Sequence, residues 1–178
     1  MKKLLLPAFA LLLALPLSAL QTQAGVQAAL VFPQNDLRGN VDGTMGLTFG
    51  VHVNLNLQGG SELRPRLDYL QCDTEALHVL TLSTTTRSVH AVALGADYLR
   101  FVDGGSRGLY GLVGTGMQWW SASEPSFGNT SETAPYLKFG AGFRFDSAVS
   151  AEITYDLGRF RSTSGTAGSI QAGLSYTF

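Results

Sequence analysis

The sequence predicts an all-β fold: an eight-stranded antiparallel up-and-down transmembrane β-barrel, preceded by a cleaved signal peptide. Eight segments alternate apolar residues with small or polar ones, which is the period-2 pattern of strands with two different faces. After the first 24 residues no apolar run approaches the roughly 20 residues that a membrane helix needs. The last ten residues, SIQAGLSYTF, keep the alternation and end on an aromatic residue, Phe178. Together these observations favour strands whose apolar face meets lipid.

The N-terminus has the layout of a secretory signal peptide. Two lysines precede a long apolar run, which leads into a short polar stretch with small residues. We assign residues 1–24 to the signal peptide, with cleavage after Ala24 and an alternative site after Ala19. A transmembrane anchor helix is the competing interpretation, and two prolines inside a run of marginal length argue against it.

Residues 25–178 then form one domain, the barrel. Loss of the two N-terminal lysines lowers the number of basic residues from 12 to 10 against 13 acidic ones, a net charge of −3. The sequence has no basic patch, so nucleic acid is not expected as a partner. Cys72 is the single cysteine, so no internal disulfide is possible. We place it at the edge of a loop, without an assigned role.

The eight segments are separated by connections that alternate in length. The predicted strands are Val26–Phe32, Thr44–Leu55, Leu63–Gln71, Ser88–Phe101, Leu109–Ser121, Pro135–Phe145, Val149–Leu157 and Ser169–Phe178. Long connections include residues 72–86 and 122–133, whereas Asp146-Ser147 is a tight turn. Short turns at one end and long loops at the other are typical of outer-membrane barrels.

The alternation places charged side chains opposite the apolar face. The predicted inward charges are Arg64, Arg66, Asp68, Asp97, Lys138, Arg144, Glu152 and Asp156. In a barrel they would fill the lumen, and a one-residue slip would move Lys138 and Arg144 into lipid at a cost of about 2–4 kcal/mol each. Because buried charges are tolerated when paired, we predict a plugged, salt-bridged interior. Hydration of these residues near the rims is the alternative.

A soluble sandwich would also produce alternating strands, and glycine separates the two architectures. Eight strand glycines lie on the polar face, where a sandwich would gain nothing from them. A narrow eight-stranded lumen needs small residues beside large ones. This assignment also turns Tyr110, Leu112 and Trp120 inward, which makes the fifth strand the least regular of the eight.

The sequence resembles a known group, the OmpA-like/OmpX-like small eight-stranded outer-membrane β-barrels of Gram-negative bacteria. The motifs that carry the resemblance are RPRLDY at Arg64–Tyr69, GADYLRF at Gly95–Phe101 and the terminal GLSYTF. The resemblance implies location in the outer membrane. It also implies that Leu174, Tyr176 and Phe178 carry the C-terminal signal read by the barrel-assembly machinery.

The expected partners follow from this interpretation: outer-membrane lipids and lipopolysaccharide, the export machinery and the barrel-assembly machinery. We expect a monomer, and neither cofactor nor metal, because no Cys/His spacing suggests zinc. His52 is interpreted as a hydrogen-bonding residue of the lumen and His78 as a loop residue. The local His-x-Ser pattern of the lipid A deacylase barrels is missing, since Val79-Leu80 follows His78 and Ala91-Val92 follows His90. No catalytic residue is therefore assigned.

The leading functional hypothesis is a structural or surface-interaction barrel whose external loops are available for binding or adhesion. A narrow channel or transporter for small solutes is the alternative, and the charged lumen argues against it. A lipid-modifying enzyme is a third hypothesis.

Overall fold

The computed structural model describes residues 22–40, 45–57, 59–73, 88–124, 128–159 and 165–178. Residues 1–21 of the predicted signal peptide lie outside this range, as does His78. In chain order the elements are β1 (Thr22–Gln34), α1 (Asn35–Asn40), β2 (Gly46–Asn56), β3 (Ser61–Asp73), β4 (Ser88–Phe101), β5 (Gly108–Glu124), β6 (Gly128–Arg144), β7 (Val149–Arg159) and β8 (Thr166–Thr177). Among the described residues, no helix is long and apolar enough to span a membrane.

The eight strands form a closed antiparallel barrel, as the sequence predicts. Each strand pairs with its neighbours in the chain, and β8 returns to pair with β1 from Gly25–Thr177 to Gln34–Gly168. Closure removes the free edges that an open sheet would present to lipid, where unpaired backbone groups find no water. β1 begins at Thr22, upstream of the predicted cleavage after Ala24.

The predicted phase of the strands is confirmed by the exposure of their side chains. On the outer face Phe139 is 50% exposed and Ile153 65%, whereas Arg64 and Asp97 on the inner face are each 1% exposed. Tyr110, Leu112 and Trp120 also point inward, with exposures of 6% or less. The barrel therefore has apolar side chains outside and most of its charged side chains inside, the reverse of a soluble protein.

The connection between β5 and β6 differs from the prediction. The prediction of a long loop over residues 122–133 is wrong, because the two strands remain paired up to Glu124–Gly128. These residues are mostly polar and lack an apolar face. Alternation marks a strand only where one face meets lipid, so the sequence pattern gives no sign of a strand that continues beyond the lipid.

The short turns lie at one end of the barrel, together with the N-terminus of β1 and Phe178; we call this the short-turn end. The turn that contains Gly60 presses on the turn that contains Gly104: a Cβ on Gly60 would lie 2.5 Å from the Cα of Gly104. In the β6–β7 turn, Asp146 Oδ1 accepts hydrogen bonds from Val149 N–H and Ala148 N–H, both 2.7 Å. These bonds stabilise the carboxylate and lower the pKa of Asp146.

The opposite end, which we call the loop end, carries α1. The sequence pattern indicates only a polar loop here, and the structure forms a short helix in its place. Asn35, with φ of 52°, turns the chain out of β1 and into α1. Asparagine tolerates this left-handed conformation better than most residues. The turn directs Leu37 into the barrel, where it is 1% exposed.

Candidate functional site

The candidate functional site is the lumen, which is filled by side chains. Charged residues occupy its centre and extend to the short-turn end. There they lie beside an apolar cluster on β4 and β5, formed by Leu99, Phe101, Tyr110 and Leu112. At the loop end an apolar layer is formed by Val31, Leu37, Leu70, Cys72, Val89, Ala91, Trp120 and Ala167.

Arg144 on β6 forms an ion pair with Glu62 on β3 near the short-turn end. Arg144 Nη1 lies 2.6 Å from Glu62 Oε1, and Nη2 lies 2.8 Å from Oε2. Arg144 also donates to Ser150 Oγ at 3.3 Å, and its guanidinium lies 4.7 Å from the centroid of the Phe101 ring. Two parallel hydrogen bonds fix the planar guanidinium and bridge strands that are not neighbours in the sheet.

The next ion pair joins Arg64 on β3 to Glu152 on β7. Arg64 Nη1 bonds Glu152 Oε1, and Arg64 Nε donates to Asn54 Oδ1 at 2.9 Å. Tyr110 donates its hydroxyl hydrogen to the same Glu152 Oε1 at 2.6 Å. The pair therefore links β2, β3, β5 and β7 across the lumen.

Arg66 lies at the centre with two carboxylates. Its Nη1 lies 2.7 Å from Asp68 Oδ2 and its Nε lies 3.1 Å from Asp97 Oδ2. Arg66 Nη2 also donates to Tyr136 Oη at 3.2 Å. Gln27 on β1 donates to Asp68 Oδ1. One arginine thus holds two acidic groups that would otherwise repel each other in a buried site.

Lys138 completes the charged layer on the side of β6, β7 and β8. Its Nζ lies 3.3 Å from Asp156 Oδ1 and 3.4 Å from Gln171 Oε1. Gln171 in turn donates to Asp156 Oδ2 at 2.8 Å. The amide therefore bonds both members of the pair.

The structure places all eight predicted lumen charges on the inner face and brings every cation among them to a carboxylate. It adds Glu62, which lies one residue before the predicted third strand, Leu63–Gln71. β3 starts at Ser61, and Glu62 lies two residues before Arg64, on the same face. A period-2 extension of the strand would have found it.

The structure adds detail to the predictions for Cys72 and His52. Cys72 is the last residue but one of β3, and its side chain is fully buried in the loop-end apolar layer. It is four residues after Asp68, so the same period-2 phase carries it inward. His52 lies in the lumen as predicted, but its ring nitrogens have no hydrogen-bond partner among the described residues. Its ring occupies the space over Gly25.

Little space remains between the lumen side chains that the structure describes. A cavity of about 30 Å³ lies beside Arg66, Lys138 and Glu152. This is room for only a few water molecules. A larger hollow of about 350 Å³ opens at the short-turn end between the turns of β2–β3 and β4–β5, with Glu62 among its lining residues. In the described part of the chain, no three His, Cys, Asp or Glu side chains come together as a metal site.

Residues 8–178 match the family described as "Outer membrane protein beta-barrel domain". The chain belongs to this family. Its members are proteins of the Gram-negative outer membrane, and that is the location of this barrel. In a comparison with curated proteins, none matches the chain.

Solved structures show the same fold at low sequence identity. Neisserial surface protein A is 16% identical with a TM-score of 0.57, covering 88% of this chain and 97% of its own. Ail, the attachment invasion locus protein of Yersinia pestis, solved with the heparin analogue sucrose octasulfate, is 14% identical with a TM-score of 0.55, covering 89% and 99%. The N-terminal barrel of Pseudomonas aeruginosa OprF has the same identity and TM-score, covering 89% and 100%.

The C-terminal residues of this family member close the barrel. Phe178 N–H donates to Ala24 C=O at 2.8 Å, and the Phe178 ring lies edge-on to Tyr176 with centroids 5.4 Å apart. Leu174, Tyr176 and Phe178 all point outward and are 48% exposed or more. They form an apolar row on the lipid side at the seam between β8 and β1.

Proposed function

We propose that this protein is a closed, structural barrel of the outer membrane that does not conduct solutes and is not an enzyme. The filled lumen supports this proposal. Ion pairs between residues of several strands fill the centre of the barrel, and the cavity beside them has a volume of about 30 Å³. A hydrated ion is larger than this cavity, so its passage would require several buried ion pairs to separate together.

Single-channel recording in planar bilayers tests this proposal. We expect no steady conductance from the purified full chain, with insertion checked by the fluorescence of outward-facing Trp119 in lipid. A steady, reproducible conductance from inserted protein would overturn the closed barrel. Incubation with labelled phospholipid or lipopolysaccharide tests the absence of enzyme activity, and released acyl chains would contradict it.

A second candidate function is binding at the cell surface through the β5–β6 hairpin. The hairpin continues from Trp119–Thr133 to Glu124–Gly128, beyond the outward-facing aromatic side chains of the loop end. Within the described residues, which omit 160–164, the last pair between β6 and β7 is Tyr136–Gly158, and β6 extends beyond it to Gly128. A strand edge without a neighbouring strand can accept a further strand from a partner.

A shortened hairpin tests the second candidate. Replacing residues 122–131 by a two-residue turn should abolish adherence of barrel-bearing vesicles to a host-cell surface, without changing insertion. A matched control replaces single residues of the short turns at the opposite end. Equal adherence of the shortened and full-length barrels would remove this candidate and leave the structural role untouched.

The partners that accompany this role are proposals as well. The outward apolar belt supports contact with outer-membrane lipids and lipopolysaccharide. The terminal row of Leu174, Tyr176 and Phe178 supports recognition by the barrel-assembly machinery after export. We expect a monomer, because the described sheet closes on itself.

A further inference from the structure

Leu37 plugs the loop end of the lumen. It is 1% exposed and packs in a cluster with residues from five different strands: Val31, Leu70, Cys72, Val89, Ala91, Trp120 and Ala167. The cluster draws on β1, β3, β4, β5 and β8, so it spans the interior of the barrel at the loop end, and Leu37 is the member that α1 supplies. Leu37 therefore closes this end as a stopper, carried by α1.

α1 is fastened to the barrel by a small number of polar contacts. Asp36 Oδ2 accepts a hydrogen bond from Thr166 N–H at 2.6 Å, and Asn35 Nδ2 donates to Tyr155 Oη at 3.2 Å. Asn35 also forms an isolated β-bridge with Ala167. Both side-chain hydrogen bonds are exposed, so water competes for them. The contacts tie α1 to the loop ends of β7 and β8.

α1 can leave without breaking the barrel. The pairs of β1 with β8 end at Gln34–Gly168 and those with β2 end at Val31–Gly46, so the sheet is complete before α1 begins. A helix of six residues is not stable by itself. Among residues 35–38 only Leu37 is buried. Segments with few buried contacts open locally while the rest of a protein stays folded.

We propose that α1 is a lid that opens and closes over the loop end of the lumen while the barrel remains folded. Asn35, with its positive φ, is the hinge, Leu37 is the stopper, and Asp36 bound to Thr166 N–H is the latch. Opening exposes the apolar layer to the outside but makes no pore, because the ion pairs of Arg66 and Lys138 lie beneath it.

Cys72 reports the opening. It is the only cysteine in the sequence and it is fully buried in the layer that Leu37 covers. A water-soluble maleimide applied to the folded full-length barrel in detergent micelles therefore measures access to this layer. We expect slow, complete labelling of the wild type at a rate faster than global unfolding, which the loss of heat-modifiable gel mobility reports separately.

Three variants test the lid. Leu37→Ala removes the stopper and Asp36→Ala removes the latch, and each should raise the labelling rate at least tenfold with gel mobility unchanged. Arg38→Ala, on the exposed face of the same helix, should label like the wild type. If Asp36→Ala and Leu37→Ala label at the wild-type rate, or if wild-type labelling follows global unfolding, the lid is overturned. Should Leu37→Ala fail to fold, the comparison of Asp36→Ala with Arg38→Ala decides alone.

Discussion

Arg144 and Glu62 form a bidentate ion pair inside the barrel, with nitrogen–oxygen distances of 2.6 and 2.8 Å. Their side chains are only 4% and 5% exposed. Removing one member of such a pair leaves an uncompensated charge out of water. Substitution of either residue is therefore expected to destabilise the barrel.

Arg144→Ala should lower the free energy of unfolding by about 3–5 kcal/mol, because Glu62 is left buried without its partner. Thermal unfolding in detergent micelles measures the change. Arg107→Ala, which alters an exposed arginine in the β4–β5 turn, is the matched control and should change stability little. An unchanged melting temperature for Arg144→Ala would mean that the pair is hydrated and carries no stability.

A double-mutant cycle separates the pair from its surroundings. Glu62→Gln combined with Arg144→Ala should cost less than the sum of the two single changes, because the orphaned charge is removed together with its partner. A coupling free energy below about 0.5 kcal/mol would mean that the two residues contribute to stability independently, and it would contradict the ion pair.

Two neighbouring glycines should respond oppositely to alanine. A Cβ on inward-facing Gly142 would lie 2.5 Å from Tyr110 Oη, and the Tyr110 hydroxyl is held by Glu152. A Cβ on Gly111, which faces outward, would meet nothing within 4 Å. We expect Gly142→Ala to destabilise the barrel by about 1–3 kcal/mol. Gly111→Ala should be neutral or stabilising by up to about 1 kcal/mol. Equal effects in urea unfolding would contradict a tightly filled lumen.

The fold and the phase of its strands could be predicted from the sequence because lipid imposes a strict rule on them. Phe139 and Ile153 must face hydrocarbon, so Lys138 and Glu152 must face inward. The same rule fails beyond the lipid. The extension of β5 to Glu124 carries no apolar alternation, and it is fixed by backbone pairing with β6, which one sequence does not display.

The sequence could predict that the lumen charges form ion pairs, but not which residue pairs with which. Alternation places Arg64, Arg66 and Arg144 in one interior, but the choice among carboxylates depends on stagger between strands that are distant in sequence. Arg144 thus bonds Glu62, 82 residues away. The burial of Leu37 could not be predicted for a different reason. Leu37 lies outside any strand, and its burial follows from the turn of the chain at Asn35.

The N-terminus of the mature chain is the subject of the fourth prediction. Strand β1 begins at Thr22, which pairs with Leu55, and Ala24 C=O accepts the hydrogen bond of Phe178 N–H. Cleavage after Ala24 would remove both, whereas cleavage after Ala19 leaves the seam between β1 and β8 complete. We therefore expect the intact mass of the purified protein to correspond to a chain that starts at Leu20. A mass that starts at Gly25 would show that the barrel closes without these pairs.

The last residue provides a prediction about assembly. Deletion of Phe178 removes an outward ring and the backbone N–H that bonds Ala24, at the seam where the barrel closes. We expect the deletion to lower the amount of protein inserted in the outer membrane severalfold, with export across the inner membrane unchanged. Phe178→Tyr should insert normally. Cell fractionation followed by heat-modifiability of the barrel measures both.

A second aromatic at the same end separates two explanations of such a loss. Phe145 is 61% exposed and lies edge-on to Phe143, much as Phe178 lies against Tyr176. Both rings can anchor the barrel at the membrane interface, but only Phe178 ends the closing strand. Phe145→Ala should therefore insert well while the Phe178 deletion does not. Equal losses would mean that Phe178 acts only as an interfacial anchor, and the assembly signal would then have to lie elsewhere in the chain.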